Sequence, residues 1–242
     1  MRAGGRRLAT ILKILSECTV PGVTTAELDK LAYDLIIKDG DESAFLNYRP
    51  GGAAKPFPAT LCVSVNDEVV HGLPGSRVVV AGDVVSLDLG LKHGGLYVDS
   101  AVTVAVPPIK QETSRLLDTT RRSLAAGIAA LAPGKYLSDA SHAIEQVINA
   151  EGFGLVRVLG GHGVGHKLHE EPEIPNFGEP GYGPRLEVGW VLAIEPMVTL
   201  GRGSVRTGPD GFTIVTRDGS LAAHFEHTIA ITKTGAEILT TL

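Results

Sequence analysis

Apolar positions along this chain follow two periods, one helical and one extended. Leu8, Ile11, Leu12 and Leu15 recur at three- and four-residue spacing, so "MRAGGRRLATILKILSEC" reads as an amphipathic helix. Lys13 and Glu17 interrupt the apolar run that a signal peptide needs. Two later stretches, "VPGVTTAELDKLAYDLIIKDG" (20–40) and "APGKYLSDASHAIEQVINAEG" (132–152), share one design. Each has Pro-Gly, a Thr or Ser cap, an acidic first turn, a periodic apolar helix and a closing glycine. Elsewhere the period shortens to two. "GDVVSLD" (82–88) and "GWVLAIE" (189–195) both run from glycine through β-favouring residues to a carboxylate six positions on. A second acidic strand follows in each case, "VDSAVTVAV" with Asp99 and "FEHTIAIT" with Glu226. From Pro21 to Asp88 is 67 residues and from Pro133 to Glu195 is 62, so the chain reads as two similar halves, about 1–112 and 113–242. Strands set between helices, with hairpin-like spacing from Asp88 to Asp99, predict an α+β fold. Its core is a curved antiparallel β-sheet covered by helices, with internal pseudo-two-fold symmetry.

Composition narrows the class. In 242 residues, 43% hydrophobic content suffices for a packed core. A net charge of −5 without a sustained basic run argues against nucleic acid or an anionic membrane as the main partner. No stretch approaches the roughly 20 apolar residues that span a bilayer. Cys18 and Cys62, without an export signal, point to reduced thiols and a cytoplasmic location.

The chemistry is concentrated in "GGHGVGHKLHEEP" (160–172), which holds three histidines, two glutamates and four glycines. His162 and His166 have the spacing of the zinc-binding helix motif H-E-x-x-H. Gly163 replaces its glutamate, however, and each glycine costs a helix roughly 0.8–1 kcal/mol. The glycine spacing does not fit a phosphate loop either. A glycine-rich turn with solvated histidines and a metal site both remain open on this segment alone. The acids decide between them. Asp88 lies in "VVSLDL", a run too apolar to bury an unpaired ionised carboxylate cheaply, and no Lys or Arg occurs in the acidic strands. Four such acids carry a charge that two divalent cations cancel, and one imidazole completes an oxygen-rich dinuclear site able to activate water.

With these features in order, the chain resembles the type I methionine aminopeptidases of peptidase family M24. The resemblance rests on "LCVSVNDEVVHGLPG" (61–75), "GDVVSLDLGLKHGGLYVDSAVTV" (82–104), "GGHGVGHKLHEEP", "VLAIEPMV" (191–198) and "FEHTIAIT" (225–232). It implies the pita-bread fold as a single catalytic domain, 1–242. It implies Asp88, Asp99, His162, Glu195 and Glu226 as ligands of two divalent ions (Co, Mn, Fe, Zn or Ni), with Asp99 and Glu226 bridging. Glu195 doubles as the proton acceptor, His71 lies near the scissile nitrogen, and His169 contacts the substrate carbonyl. The methionine pocket takes Cys62, Tyr48, Phe57, Leu168 and Phe212. Leu168 and Phe212 depart in size, though not in polarity, from the phenylalanine and tryptophan common in the family. The implied substrate is a nascent polypeptide with N-terminal methionine and a small second residue, met by a monomer, with transient contact to the ribosome. The chain opens at the "MRAGG" motif without an N-terminal extension, and no long insert separates "HEEP" from "IEPM", which fits type I over type II.

Other residues receive simpler readings. His166 is solvated, His93 belongs to a hairpin turn, His142 to a helix surface, and Arg121 and Arg122 to a solvated helix face. His224 and His227 flank Glu226 and either face away or orient the carboxylates. Between Tyr48 and Phe57 the chain is longer than the family pattern. Arg49 to Pro56 is expected to form an exposed flap at the pocket mouth, its Arg49 and Lys55 facing the body of the substrate. Two competing readings are a proline-specific peptidase of the same fold and a metal-free binding scaffold.

Overall fold

The computed structural model describes residues 1–49 and 55–242. Among the described residues there are four helices: α1 Arg2–Cys18, α2 Thr25–Lys38 and α4 Leu137–Glu151 form where the apolar spacing predicts them, and α3 Gln111–Ala130 forms around the helix face read at Arg121 and Arg122. The four apolar residues of the first stripe, Leu8, Ile11, Leu12 and Leu15, are all buried. At the start of α2, the Glu27 N–H donates to Thr24 Oγ1 and the Thr24 N–H donates to the Glu27 carboxylate. The start of α4 differs from the expected serine cap. There Tyr136 N–H donates to Asp139 Oδ2, and Ser138 lies inside the first turn, where its hydroxyl accepts from Tyr182 N–H.

Among the described residues the principal sheet has nine strands. In hydrogen-bonded order seven of them are Glu42–Ser43, Val84–His93, Leu96–Ala105, Glu226–Thr232, Val191–Ile194, Gly160–Gly163 and Glu170–Pro175. Leu61–Val65 also pairs with Val84–His93, and Gly235–Ile238 pairs with Glu226–Thr232. Every pairing is antiparallel. The Asp88 to Asp99 spacing is a hairpin whose turn, Gly94-Gly95, has φ of +57° and +84°, a backbone that glycine adopts without strain.

Helices cover the sheet, and the core separates along the chain. One cluster joins α1 and α2 to strands of the first part, with Leu8, Leu15, Leu28, Ile36, Leu87 and Leu89 fully buried. A second, the largest, joins α3 and α4 to the later strands and includes Leu116, Ile144, Ile148 and Ile229, and two smaller clusters lie around Phe57 and around Met197. Val102 packs against both of the larger clusters. No helix among the described residues is long and apolar enough to cross a membrane.

Candidate metal centre and active site

Strand register brings the acids together. Asp99 stands opposite Gly90, two residues from Asp88, so both carboxylates lie on one face of the hairpin. Glu226 is opposite Ala101, two residues beyond Asp99, which adds a third acid to that face. His162 pairs with Ala193, two residues before Glu195, and completes the group. One carboxylate or imidazole atom from each of Asp88, Asp99 and Glu226 falls within 4.8 Å of the others, as do those of His162, Glu195 and Glu226 and those of Asp99, His162 and His169.

The glycines around His162 have a packing role. Gly160–Gly163 is a short strand rather than a turn, with Glu170–Pro175 on one side and Val191–Ile194 on the other. A Cβ on Gly161 would lie 2.1 Å from the Ala193 carbonyl oxygen, and one on Gly163 would lie 2.3 Å from that of Glu171. Only a chain without side chains at these positions lets His162 sit so close to both neighbours.

Electrostatically the group is incomplete. Asp88, Asp99 and Glu226 are buried, and among the described residues no lysine or arginine forms an ion pair with them or with Glu195. Asp88 Oδ1 is buried without any hydrogen-bond partner. Burial raises Asp99 to a pKa of about 7. Burial, then the neighbouring carboxylates, raise Asp88, Glu195 and Glu226 well above the ordinary range. His162 Nδ1 lies 2.8 Å from the Gly163 carbonyl oxygen, which can only accept, so Nδ1 carries the proton of the neutral ring. Its Nε2 lone pair therefore faces Glu195 Oε1 at 3.6 Å and Asp99 Oδ2 at 4.0 Å. Lone pair facing carboxylate is repulsive unless a cation lies between, so the donor set, oxygen-rich with one imidazole, fits divalent metal ions.

Two further histidines border this group. His169 Nδ1 is 2.8 Å from Tyr48 Oη, and its ring stacks edge-on to His162 at 4.3 Å. His71 sits at φ 58°, a left-handed conformation uncommon for a residue with a side chain, and desolvation of its ring in the cleft, then His169, lowers its pKa. A cavity of about 540 Å³ opens from the carboxylates between Phe45, Tyr48, Phe57, Cys62, Leu168 and Phe212. Phe57 and Phe212 meet edge to face at 5.6 Å. A second cavity, about 740 Å³, shares His71, His162, His169 and Glu195 with the first and continues along strand Glu170–Pro175. All twelve residues singled out from the sequence thus converge on one region of the molecule.

Of the other residues, some match their sequence reading and some differ from it. His224 is buried with Nε2 3.7 Å from Glu195 Oε2, while His227 turns away to Thr240 Oγ1 at 2.9 Å. His93 ends its strand and bonds Asp41 Oδ1 at 2.7 Å. His142 is no plain surface residue, because its Nδ1 meets the Gly178 carbonyl at 3.0 Å. His166 is exposed. Arg122 pairs with Asp118 and Glu151, and Arg121 lies over the Phe225 ring at 4.9 Å rather than wholly in solvent. Phe45 lines the apolar cavity and was not anticipated; its position three residues before Tyr48 was the available signal. The expected flap falls largely on residues 50–54, outside the described residues. Its two ends are tied, since Phe57 N–H donates to the Tyr48 carbonyl and Asn47 N–H to that of Phe57, both at 2.8 Å.

Comparison with known proteins agrees with this geometry. Residues 1–233 match the model of metallopeptidase family M24. Methionine aminopeptidase 1 of Bacillus subtilis is 48% identical over 99% of this chain and 94% of its own length. The crystal structure of methionine aminopeptidase from Thermotoga maritima superposes with a TM-score of 0.95 at 43% identity, covering 100% of this chain and 95% of that one. The prolidase of Pyrococcus furiosus, 20% identical with a TM-score of 0.77, shares the fold over 100% of this chain and 63% of its own. A match of that extent, joined to a cluster of buried acids that calls for divalent cations, shows that the chain belongs to metallopeptidase family M24, among its methionine aminopeptidases.

Proposed function

We propose that this chain is a metallo-aminopeptidase that removes methionine from the N-terminus of polypeptides, with Asp88, Asp99, His162, Glu195 and Glu226 holding two divalent ions. Of these, Asp99 and Glu226 would serve both ions. The observation that carries the reading is the His162 Nε2 lone pair facing carboxylates that are buried without a lysine or arginine ion pair among the described residues. Bound there, divalent ions supply Lewis acidity and a more acidic water.

The chain's own groups then have distinct tasks. The flexible, polarizable methionine side chain fits the cavity between Phe45, Phe57, Cys62, Leu168 and Phe212, where it meets apolar and sulfur contacts. This orients the scissile bond at the point where the two cavities meet. Glu195 accepts the proton of the attacking water. If Tyr48 Oη donates to His169 Nδ1, then Nε2 carries the remaining ring proton and can donate to the carbonyl oxygen as it becomes an oxyanion. His71, at the shared rim, lies beside the leaving nitrogen, which is protonated as the peptide departs. The peptide body continues along the Glu170–Pro175 side.

We further read the substrates as nascent chains with a small second residue, since a bulky one meets the rim at His71. We read the enzyme as a cytoplasmic monomer in transient contact with the ribosome, made of one catalytic domain with two related halves. The test is methionine release from Met-Ala-Ser against hydrolysis of Xaa-Pro peptides, each with and without added divalent metal. Metal-dependent release from Met-Ala-Ser alone is expected. Preference for Xaa-Pro would assign the chain to proline-specific chemistry, and activity on neither would leave a binding scaffold.

A further inference from the structure

His224 is 1% exposed, and neither ring nitrogen has a hydrogen-bond partner. Such a group is costly to bury, and its backbone holds it in place. Its N–H donates to Thr103 Oγ1 at 2.9 Å, its carbonyl accepts from the same hydroxyl at 2.7 Å, and its strand pairs it with Met197. The backbone is thus fixed within the sheet, with the ring on its buried side. Glu195 Oε2 lies 3.7 Å from Nε2, longer than a closed hydrogen bond. The other oxygen of that carboxylate, Oε1, faces His162.

The two imidazoles differ in what they offer Glu195. His162 has committed its N–H to the Gly163 carbonyl and presents a lone pair. His224 has committed neither nitrogen, so it can present an N–H. We propose that His224 is a positioning residue, which closes an Nε2–H hydrogen bond to Glu195 Oε2 and holds the carboxylate with Oε1 turned toward His162. This rests on the reading of Glu195 as ligand and proton acceptor, and it gives His224 a part in the reaction without contact to substrate.

The experiment compares His224→Leu and His224→Met, which remove the donor, with His224→Gln, whose amide can still donate. In His224→Leu, kcat on Met-Ala-Ser falls about 10- to 100-fold with KM within about twofold, and calorimetry shows metal affinity weakened about 10- to 100-fold. His224→Gln recovers most of both. Melting temperatures identify any variant that fails to fold, in which case His224→Met takes the place of His224→Leu. Wild-type kcat and metal affinity in a donor-less variant would overturn the proposal, as would a folded His224→Gln no better than His224→Leu. If the wild type binds metal yet releases no methionine, the aminopeptidase reading fails while calorimetry on the same variants still decides the role of His224.

Discussion

Glu195 and His169 stand within reach of the same buried imidazole, yet they differ in what their loss should do. Removing Glu195 leaves the other acids and His162 without one charged partner of the cations. Glu195→Ala is therefore expected to lose at least one metal ion and to abolish hydrolysis, read by elemental analysis and a methionine-release assay. His169 is held from outside by Tyr48, and the part proposed for it is a hydrogen bond to the substrate carbonyl oxygen. His169→Ala should keep the metals and lower kcat by about 10²–10³. Metal loss in that variant would make His169 a ligand instead. Protonation gives a second expectation. Without metal, buried Asp99 is raised to about 7, so the folded protein keeps a proton that the unfolded chain releases near its ordinary value of 3.8. That stabilisation is complete at low pH and lost as pH rises through about 7. His224, lowered by burial to about 3, runs the other way: its stabilisation is complete above 6.5 and lost as pH falls toward that value. Above pH 6.5 only the carboxyl contribution still changes. The Tm of the metal-free protein should fall from about pH 6.5 to about 8.5, and saturating divalent metal should abolish that fall.

Glycine-bearing strands are the elements on which the site depends. Gly160–Gly163 was legible as chemistry but not as a strand, because its closeness to Ala193 and Glu171 is set by residues far along the chain. The histidine spacing and the acidic strands were readable because antiparallel register turns sequence separation directly into shared faces, as for Asp88 and Asp99. Phe45 and the contact of His224 with Glu195 escaped sequence reading, since each depends on which element lies across a cavity or sheet. The strand makes its own prediction. In Gly161→Ala the added methyl meets the Ala193 carbonyl at 2.1 Å, so the strands must part. Overpacking of this kind typically costs about 1–3 kcal/mol. Because His162 is the next residue, the variant should also bind metal more weakly than the wild type at temperatures where it remains folded. Unchanged Tm and unchanged metal affinity would show that the close approach is not required.

Across the whole molecule, the acids come from widely separated stretches. Asp88 and Asp99 belong to the hairpin packed under α1, Glu195 directly follows strand Val191–Ile194, which α3 contacts, and Glu226 begins the strand beside it. Metal bound among them therefore joins the two larger core clusters, and metal affinity becomes stability of the whole fold. The overall architecture was legible from repeated helix and strand patterns together with the family resemblance. The second cavity along Glu170–Pro175 was not, because it lies between elements that no local pattern pairs. The central claim is that buried carboxylates and His162 hold two catalytic cations. Its most direct measurement is stepwise addition of Mn²⁺ or Co²⁺ to chelated protein, with bound metal and methionine release from Met-Ala-Ser followed on the same samples. Activity absent from the chelated protein and restored as metal binds, up to two ions per chain, is the predicted result. Full methionine release by protein shown to contain no metal, or no metal bound by a folded chain, would contradict it.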